Sequence, residues 1–364
     1  MKRILQIGMT SNYGGIESFI MNLYRNIDHN KFQFDFINME TNNKDLAYSD
    51  EIRKLGGKIF KIPGRKESIL KNHNELKKIL QSNHYDYVHN NILTWSYSDG
   101  ISLPLKYTNS QVIVHSHNSG MNDDMKIRKI LNFVNKRYNK KTNIIRLACS
   151  NEAGKWLFNN KKFKVIPNGI DTLNYQFDKK IREKYRQRFG LTNKKIFLHV
   201  GRLSHQKNHD YLLKVFNEIQ KQEKNAVLLL VGDGELKHQI KDEILRLNLD
   251  NKILMLGTRH DVRNLMFMSD VFLFPSLYEG LPMVLVEAQA TGLPCLIADN
   301  ISDEILLTDF IKKANIKLPV TRYAGKALNM LDYNVNREEA YTLVKKAGYD
   351  VTNTISQMEK IYQK

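Results

Sequence analysis

The stretch RILQIGMTSNYGGIESFIMNLYRNI, residues 3–27, reads as a strand, a glycine-containing loop and an amphipathic helix. Its apolar run at 3–8 has strand length, and Ile16, Phe19, Ile20, Leu23 and Ile27 then recur at the spacing that lines one helix face. The same unit returns along the chain, with strands predicted at 33–38, 58–62, 85–88, 112–115 and 144–149 and helical patterns between them. Strands that alternate with helices imply a parallel sheet covered on both faces.

The pattern pauses at Ile166-Pro167-Asn168-Gly169-Ile170-Asp171, a turn-forming run, and a polar, basic helix is predicted over 178–189. Strands restart at 196–200, 226–231, 252–256, 271–274 and 294–298. The expected fold class is α/β, with two tandem Rossmann-like doubly wound domains at 1–170 and 171–339. A helical stretch over about 337–362 is polar enough to be expected at the surface, and a final helix at about 340–364 is a candidate to pack back on the first domain. Such domains bind ligands outside the carboxyl ends of their strands, so a cleft between them is the expected active site.

A chain of 364 residues has length for two cores, and 42% hydrophobic residues with seven prolines and 19 glycines exclude a mainly disordered protein. Apolar runs such as 226–231 have strand length, well short of a membrane span. The opening MKRILQIGM, interrupted at Gln6, is too short for a signal peptide. Cys149 and Cys295 show no metal-ligand or disulfide spacing, which fits a reducing cytoplasm. The net charge is +18, with 27 basic against 14 acidic residues up to Ile170 and 29 against 24 beyond it. That excess attracts polyanions. No aromatic-rich RNA motif or zinc finger supports nucleic acid, which leaves the anionic inner face of a membrane as the expected partner of the first domain. Nothing in the sequence sets an oligomeric state.

Two strand exits carry chemistry. After the strand at 196–200 comes Gly201-Arg202-Leu203-Ser204-His205-Gln206-Lys207-Asn208, which delivers two cations suited to phosphates. A pair of solvated surface charges is the rival reading. After the strand at 271–274, the loop through Glu279 and Gly280 opens a helix at Pro282, and Glu287 lies in its early turns. Both carboxylates are then placed to accept hydrogen bonds from sugar or ribose hydroxyls, near helix-start amides that favour an anion. The rival is a pair of glutamates that merely complement the helix dipole. Gly232-Asp233-Gly234 lacks both a dinucleotide fingerprint and a P-loop lysine and reads as a βα turn. The sequence contains no Asp-x-Asp, the usual carboxylate clamp for a divalent ion on a diphosphate, so metal-independent chemistry without a cofactor is expected.

The segment 126–141 places Ile127, Ile130, Leu131, Val134 and Tyr138 on one stripe, among Lys126, Arg128, Lys129, Lys136, Arg137, Lys140 and Lys141. It reads either as a core-packed helix with a solvated basic face or as a helix that docks on anionic lipid.

Taken together, GGIES at Gly14-Gly15, HSHN around His117, CSNEAG at Cys149, IPNGID at Ile166, GRLSHQKN at Gly201, VGDGE at Val231 and EGLPMVLVEA with its Glu-x7-Glu spacing resemble the retaining GT-B glycosyltransferases of family 4. The resemblance spans nearly the whole chain and is strongest to bacterial capsular and exopolysaccharide transferases. It implies that Arg202 and Lys207 hold the donor diphosphate and that Glu287 holds the ribose. Glu279 and the main chain of Gly280, Leu281, Pro282, Met283 and Val284 would contact the donor sugar and phosphate, with Thr258 and Arg259 as walls of the nucleobase pocket. Gly14 and Gly15 would face the diphosphate or acceptor, and His117 the donor sugar or an acceptor group, with His115 as the alternative. The implied reaction moves a sugar from a UDP-sugar to a hydroxyl of a lipid-linked saccharide with retention, in capsule or exopolysaccharide synthesis, by an enzyme peripheral on the inner membrane face. A nucleotide-sugar epimerase and a noncatalytic nucleotide-sugar-binding protein are the rival readings.

Overall fold

The computed structural model describes residues 1–120, 126–138 and 143–364, with the backbone alone at 126–128 and 138. It divides into two compact units, Met1–Gly169 together with Val351–Lys364, and Ile170–Asp350. Among the described residues the first unit holds seven parallel strands: β1 (Lys2–Ile7), β2 (Phe32–Asn38), β3 (Ile59–Lys61), β4 (Tyr87–Ile92), β5 (Gln111–Ser116), β6 (Ile145–Ala148) and β7 (Lys164–Val165). Their order is β3-β2-β1-β4-β5-β6-β7. Its helices are α1 (Gly15–Asn26), α2 (Ser49–Lys54), α3 (Ile69–Ser82), α4 (Asp99–Tyr107), α5 (Lys126–Tyr138) and α6 (Asn151–Phe158).

Alternation along β1 feeds two cores. Ile4 packs with Phe19, Ile20 and Leu23 of α1, whereas Leu5 and Ile7 face the opposite layer with Leu76, Leu80 and Leu103.

The second unit repeats the plan with β8 (Lys195–Val200), β9 (Ala226–Val231), β10 (Ile253–Gly257), β11 (Val271–Phe274), β12 (Cys295–Ala298) and β13 (Ile311–Ala314), in the order β10-β9-β8-β11-β12-β13. Its helices are α7 (Lys179–Arg188), α8 (His209–Gln222), α9 (Lys237–Arg246), α10 (Val262–Met268), α11 (Met283–Ala290), α12 (Val320–Asn329) and α13 (Ala340–Val344). Asp178 caps α7 by accepting from Ile181 N at 3.0 Å, and the buried guanidinium of Arg186 reaches Asp270. This basic helix is therefore anchored by its charges.

The structure corrects several expectations. The second unit runs to Asp350 rather than 339, because α13 packs on α11 and the Ile170–Asp350 bridge closes the unit. The stretch over 337–362 is interrupted at Gly348, whose φ of +90° ends one helical run before α14 (Val351–Tyr362) begins. α14 packs on the first unit, as the candidate placement had it: Met358, Ile361 and Tyr362 complete the α1 side of its core, while Thr352, Ser356 and Lys360 stay exposed. The strand predicted at 85–88 starts at Tyr87 and continues through His89, Asn90 and Asn91, all buried. β7 and β13 were not predicted; β7 has only two residues, and two lysines interrupt β13.

On α5, Ile130, Phe133 and Val134 are 64%, 68% and 54% exposed, so the core-packed reading does not hold. Lys140 and Lys141 lie outside the described residues, as do the side chains of Lys126, Ile127, Arg128 and Tyr138. Among the described residues no helix is long and apolar enough to cross a membrane.

Candidate active site

Each sheet reverses its strand order once, between β1 and β4 in the first unit and between β8 and β11 in the second. Crevices at such points, beyond the carboxyl ends of the strands, are where doubly wound sheets hold ligands. In the second unit the loops leaving β8 and β11 carry Lys207 and Glu279, and they are tied together. Leu277 N donates to Gln206 O at 2.8 Å, Gln206 Nε2 to Tyr278 O at 2.9 Å and Asn208 Nδ2 to Pro275 O at 3.1 Å.

Lys207 Nζ lies 2.6 Å from Glu279 Oε1 and 4.5 Å from the centre of the Phe274 ring, with the two charged side chains only 14% and 8% exposed. A Cβ on Gly201 would come within 3.0–3.2 Å of the Lys207 stem, so this glycine leaves the lysine its path. Below it, Gly232 adopts φ +135°, and a Cβ there would meet Gly201 O at 2.0 Å. The 232–234 turn thus supports the 201 loop, consistent with its reading as a βα turn. An ion pair this buried gains little net stability over apolar packing, so stability alone gives no reason for it.

Arg202 does not join that pair. Its guanidinium is 73% exposed and bonds Glu235 at 3.1 Å. On α11 the first intrahelical amide is Leu285, bonding Pro282 O at 2.9 Å; the Met283 and Val284 amides precede it at the anion-favouring end. Gly280 and Leu281 lead into this start, and Pro282 is buried. Thr258 and Arg259 follow β10, two strands from β8, where Arg259 grips Asp261 through bonds of 2.8 and 2.6 Å.

Glu287 faces Tyr175, whose hydroxyl hydrogen-bonds it, and burial pushes the carboxyl up to about 7. A carboxyl with a raised folded-state pKa destabilises the fold once pH exceeds its unfolded value, because the unfolded chain ionises first. Stability should therefore fall from the ordinary carboxylate range up to about pH 7. Glu287→Gln keeps an acceptor for Tyr175. Melting temperatures of the variant and the wild type are expected to converge at about pH 4 and to separate, with the variant higher, at about pH 8. Equal differences at both pH values would contradict this assignment.

In the first unit Gly14 precedes α1 and Gly15 begins it. Glu17 Oε2 accepts from Gly14 N at 3.2 Å, and its Oε1 accepts from Thr10 N at 2.9 Å and Thr10 Oγ1 at 2.7 Å. Gly15 has open space where a Cβ would stand. His115 and His117, two residues apart, share a face, with ring centres 4.3 Å apart. His115 is fully buried, whereas His117, just beyond β5, keeps partial exposure and bonds Asn91 Oδ1 at 3.0 Å. Burial holds both imidazoles well below their ordinary pKa.

Sequence reading missed Glu17, Asn91, Tyr175, Glu235 and Phe274. Only Glu17 had a local signal, its position three residues after the helix-capping Gly14.

The fold is two doubly wound, Rossmann-like units, each with one switch point. Residues 13–173 match the model described as Glycosyltransferase Family 4, and residues 181–310 match Glycosyl transferases group 1. The putative glycosyltransferase EpsF of Bacillus subtilis (strain 168) is 31% identical over 99% of this chain and 96% of its own. The capsular polysaccharide biosynthesis glycosyltransferase CapH of Staphylococcus aureus is 26% identical over 100% and 99%. The Escherichia coli UDP-Gal:alpha-D-GlcNAc-diphosphoundecaprenol alpha-1,3-galactosyltransferase is 32% identical over 55% of this chain and 54% of its own. The solved structure of Anabaena Alr3699/HepE in complex with UDP-glucose superposes with a TM-score of 0.76 over 100% of both chains at 19% identity. The chain belongs to the GT-B glycosyltransferases of family 4. It is a glycosyltransferase.

Proposed function

We propose that this chain transfers a sugar from a UDP-sugar, with retention and without a metal ion, to a hydroxyl of a lipid-linked saccharide in capsule or exopolysaccharide synthesis. The observation that carries the reading is the buried Lys207–Glu279 pair at the β8–β11 switch point. In this reading the donor diphosphate takes the place of Glu279 beside Lys207, and the carboxylate turns to donor-sugar hydroxyls. Arg202 leaves Glu235 for the same phosphates, and the α11 start supplies amides. Glu287 accepts from the ribose hydroxyls, while Thr258 and Arg259 wall the base.

Lys207 and Arg202 stabilise the negative charge that grows on the leaving UDP. The anomeric carbon–oxygen bond to the diphosphate breaks as the acceptor oxygen bonds the same carbon on the same face. The acceptor proton passes to the departing phosphate oxygen, so no enzyme nucleophile is required. Gly14, Gly15 and His117 serve the acceptor side. The lipid-linked acceptor and UDP donor draw support from the galactosyltransferase relative. Reaction in a chelator, with the product anomer read by NMR, tests this: the donor's configuration should persist. An inverted product, or activity abolished by chelation, would count against it.

The exposed stripe of α5 is the part we assign to the anionic inner membrane surface. It adjoins a cavity of about 1030 Å³ lined by Trp95, Phe133 and Trp156 with Lys136, Arg137 and Lys161. Apolar contact plus cations is the combination that holds a protein at a lipid interface. Vesicles containing phosphatidylglycerol should co-sediment with the protein at low salt, less at high salt, and much less with Phe133→Asp. Failure of the wild type to bind at low salt removes the membrane from the account.

A further inference from the structure

The side chains behind His117 form a connected hydrogen-bond path whose polarity is set by a single backbone carbonyl. Asn91 Nδ2 lies 3.4 Å from Ile7 O and 3.0 Å from Gln6 Oε1. A carbonyl only accepts, so the Asn91 amide turns its NH2 to Ile7 and its oxygen to His117. His117 Nε2, 3.0 Å from that oxygen, must carry a proton and donate it. In the other direction, Gln6 accepts through Oε1 and therefore donates from Nε2 to Tyr362 Oη at 3.4 Å. The Tyr362 hydroxyl then donates to His89 Nδ1 at 2.6 Å, leaving His89 Nε2–H to donate to His115 Nδ1 at 3.3 Å. The hydrogen-bond path ends at His115, whose ring meets His117 by ring contact with centres 4.3 Å apart and whose Nε2 has no hydrogen-bond partner among the described residues.

We infer that this path holds His117 as the Nε2–H tautomer, so that Nδ1 offers its lone pair to a substrate hydroxyl, and that Asn91, Gln6 and Tyr362 are positioning residues for transfer. The inference rests on the reading of His117 as a site residue. His117 Nδ1 is buried and has no hydrogen-bond partner among the described residues, as an acceptor awaiting a donor would. Burial keeps His89, His115 and His117 neutral, the state in which each ring has one donor and one acceptor. Gln6, His89, Asn91 and His115 are each at most 2% exposed. Sheet packing against α14 needs only apolar side chains, so a run of buried polar groups from Asn91 to His89 has no packing reason of its own. Tyr362 brings the carboxyl-terminal helix into that network.

The test is long-range 1H–15N correlation of the full chain labelled at histidine nitrogens, with His117→Ala identifying the resonances. All three rings are expected as neutral Nε2–H tautomers. Asn91→Leu should mix the His117 tautomers and lower kcat about tenfold while donor KM stays within about twofold. Tyr362→Phe, which keeps the packed ring, should shift the His89 and His115 signals and lower kcat about threefold. Melting curves establish that each variant is folded. A proton on His117 Nδ1, or tautomers unmoved in both variants, overturns the path. Full transfer activity in His117→Ala overturns the site reading itself, and with it the role assigned to the path.

Discussion

Lys207→Ala is expected to lower kcat/KM by about 10²–10³-fold, the usual loss when a preorganised charge-stabilising donor is removed. The lysine is held by Glu279 at 2.6 Å, by the Phe274 ring at 4.5 Å and by the space above Gly201. The Phe274 ring and the path over Gly201 keep it in place when the donor diphosphate displaces Glu279, before the leaving group develops charge. Lys207→Arg should restore little, because a guanidinium spreads its charge over a planar fork in place of the compact ammonium that meets Glu279. Arg202→Ala should also slow turnover, although that guanidinium must first leave Glu235. Folded Lys207→Ala and Arg202→Ala proteins with near-normal rates would remove both cations from the mechanism.

Asp270→Ala is expected to cost the second unit about 3–5 kcal/mol, the penalty for breaking a buried ion pair and leaving its partner cations uncompensated. Asp270 meets Arg182 at 2.5 Å and Arg186 at 3.1 Å, and accepts from Ile196 N at 2.7 Å near the start of β8. Arg182 also donates to Phe267 O and Ser269 O, and Arg337 to Met266 O, Ser269 O and Thr291 O. Together these arginines satisfy carbonyls at the end of α10, at Ser269 just beyond it and at Thr291, the C-cap of α11. Losing Asp270 should lower the melting temperature by about 10 °C, scaled from the usual shift per kcal/mol for a unit of this size. A change within about 2 °C would show that the cluster is not a keystone of the unit.

The doubly wound plan was legible wherever an apolar strand ended in a glycine-containing loop, as at β1 and β8. β4 was misplaced because His89, Asn90 and Asn91 look like loop residues, yet the structure buries all three with partners. The packing of α14 on the first unit was legible as a candidate, but which of its residues reach the core was not, because its polar residues outnumber them. At the site, Lys207 and Glu279 were legible as chemistry at two strand exits, but their direct pairing depends on strands 71 residues apart in the chain being neighbours, Val271 lying beside Phe197 and Phe272 beside Leu198, with Val200 ending the first. Tyr175, Glu235 and the Asn91 path depend on tertiary neighbours that no local spacing announces. Arg202 was rightly placed on the β8 loop; its pairing with Glu235 was not readable.

The most direct measurement of the central claim is mass detection of both products when the full chain is incubated with UDP-sugars and a synthetic lipid-diphosphate saccharide. One donor is expected to release UDP as the acceptor gains one sugar mass, with Lys207→Ala nearly silent. Conversion of a donor to an isomeric nucleotide sugar without an acceptor, or no reaction with any donor, would contradict it.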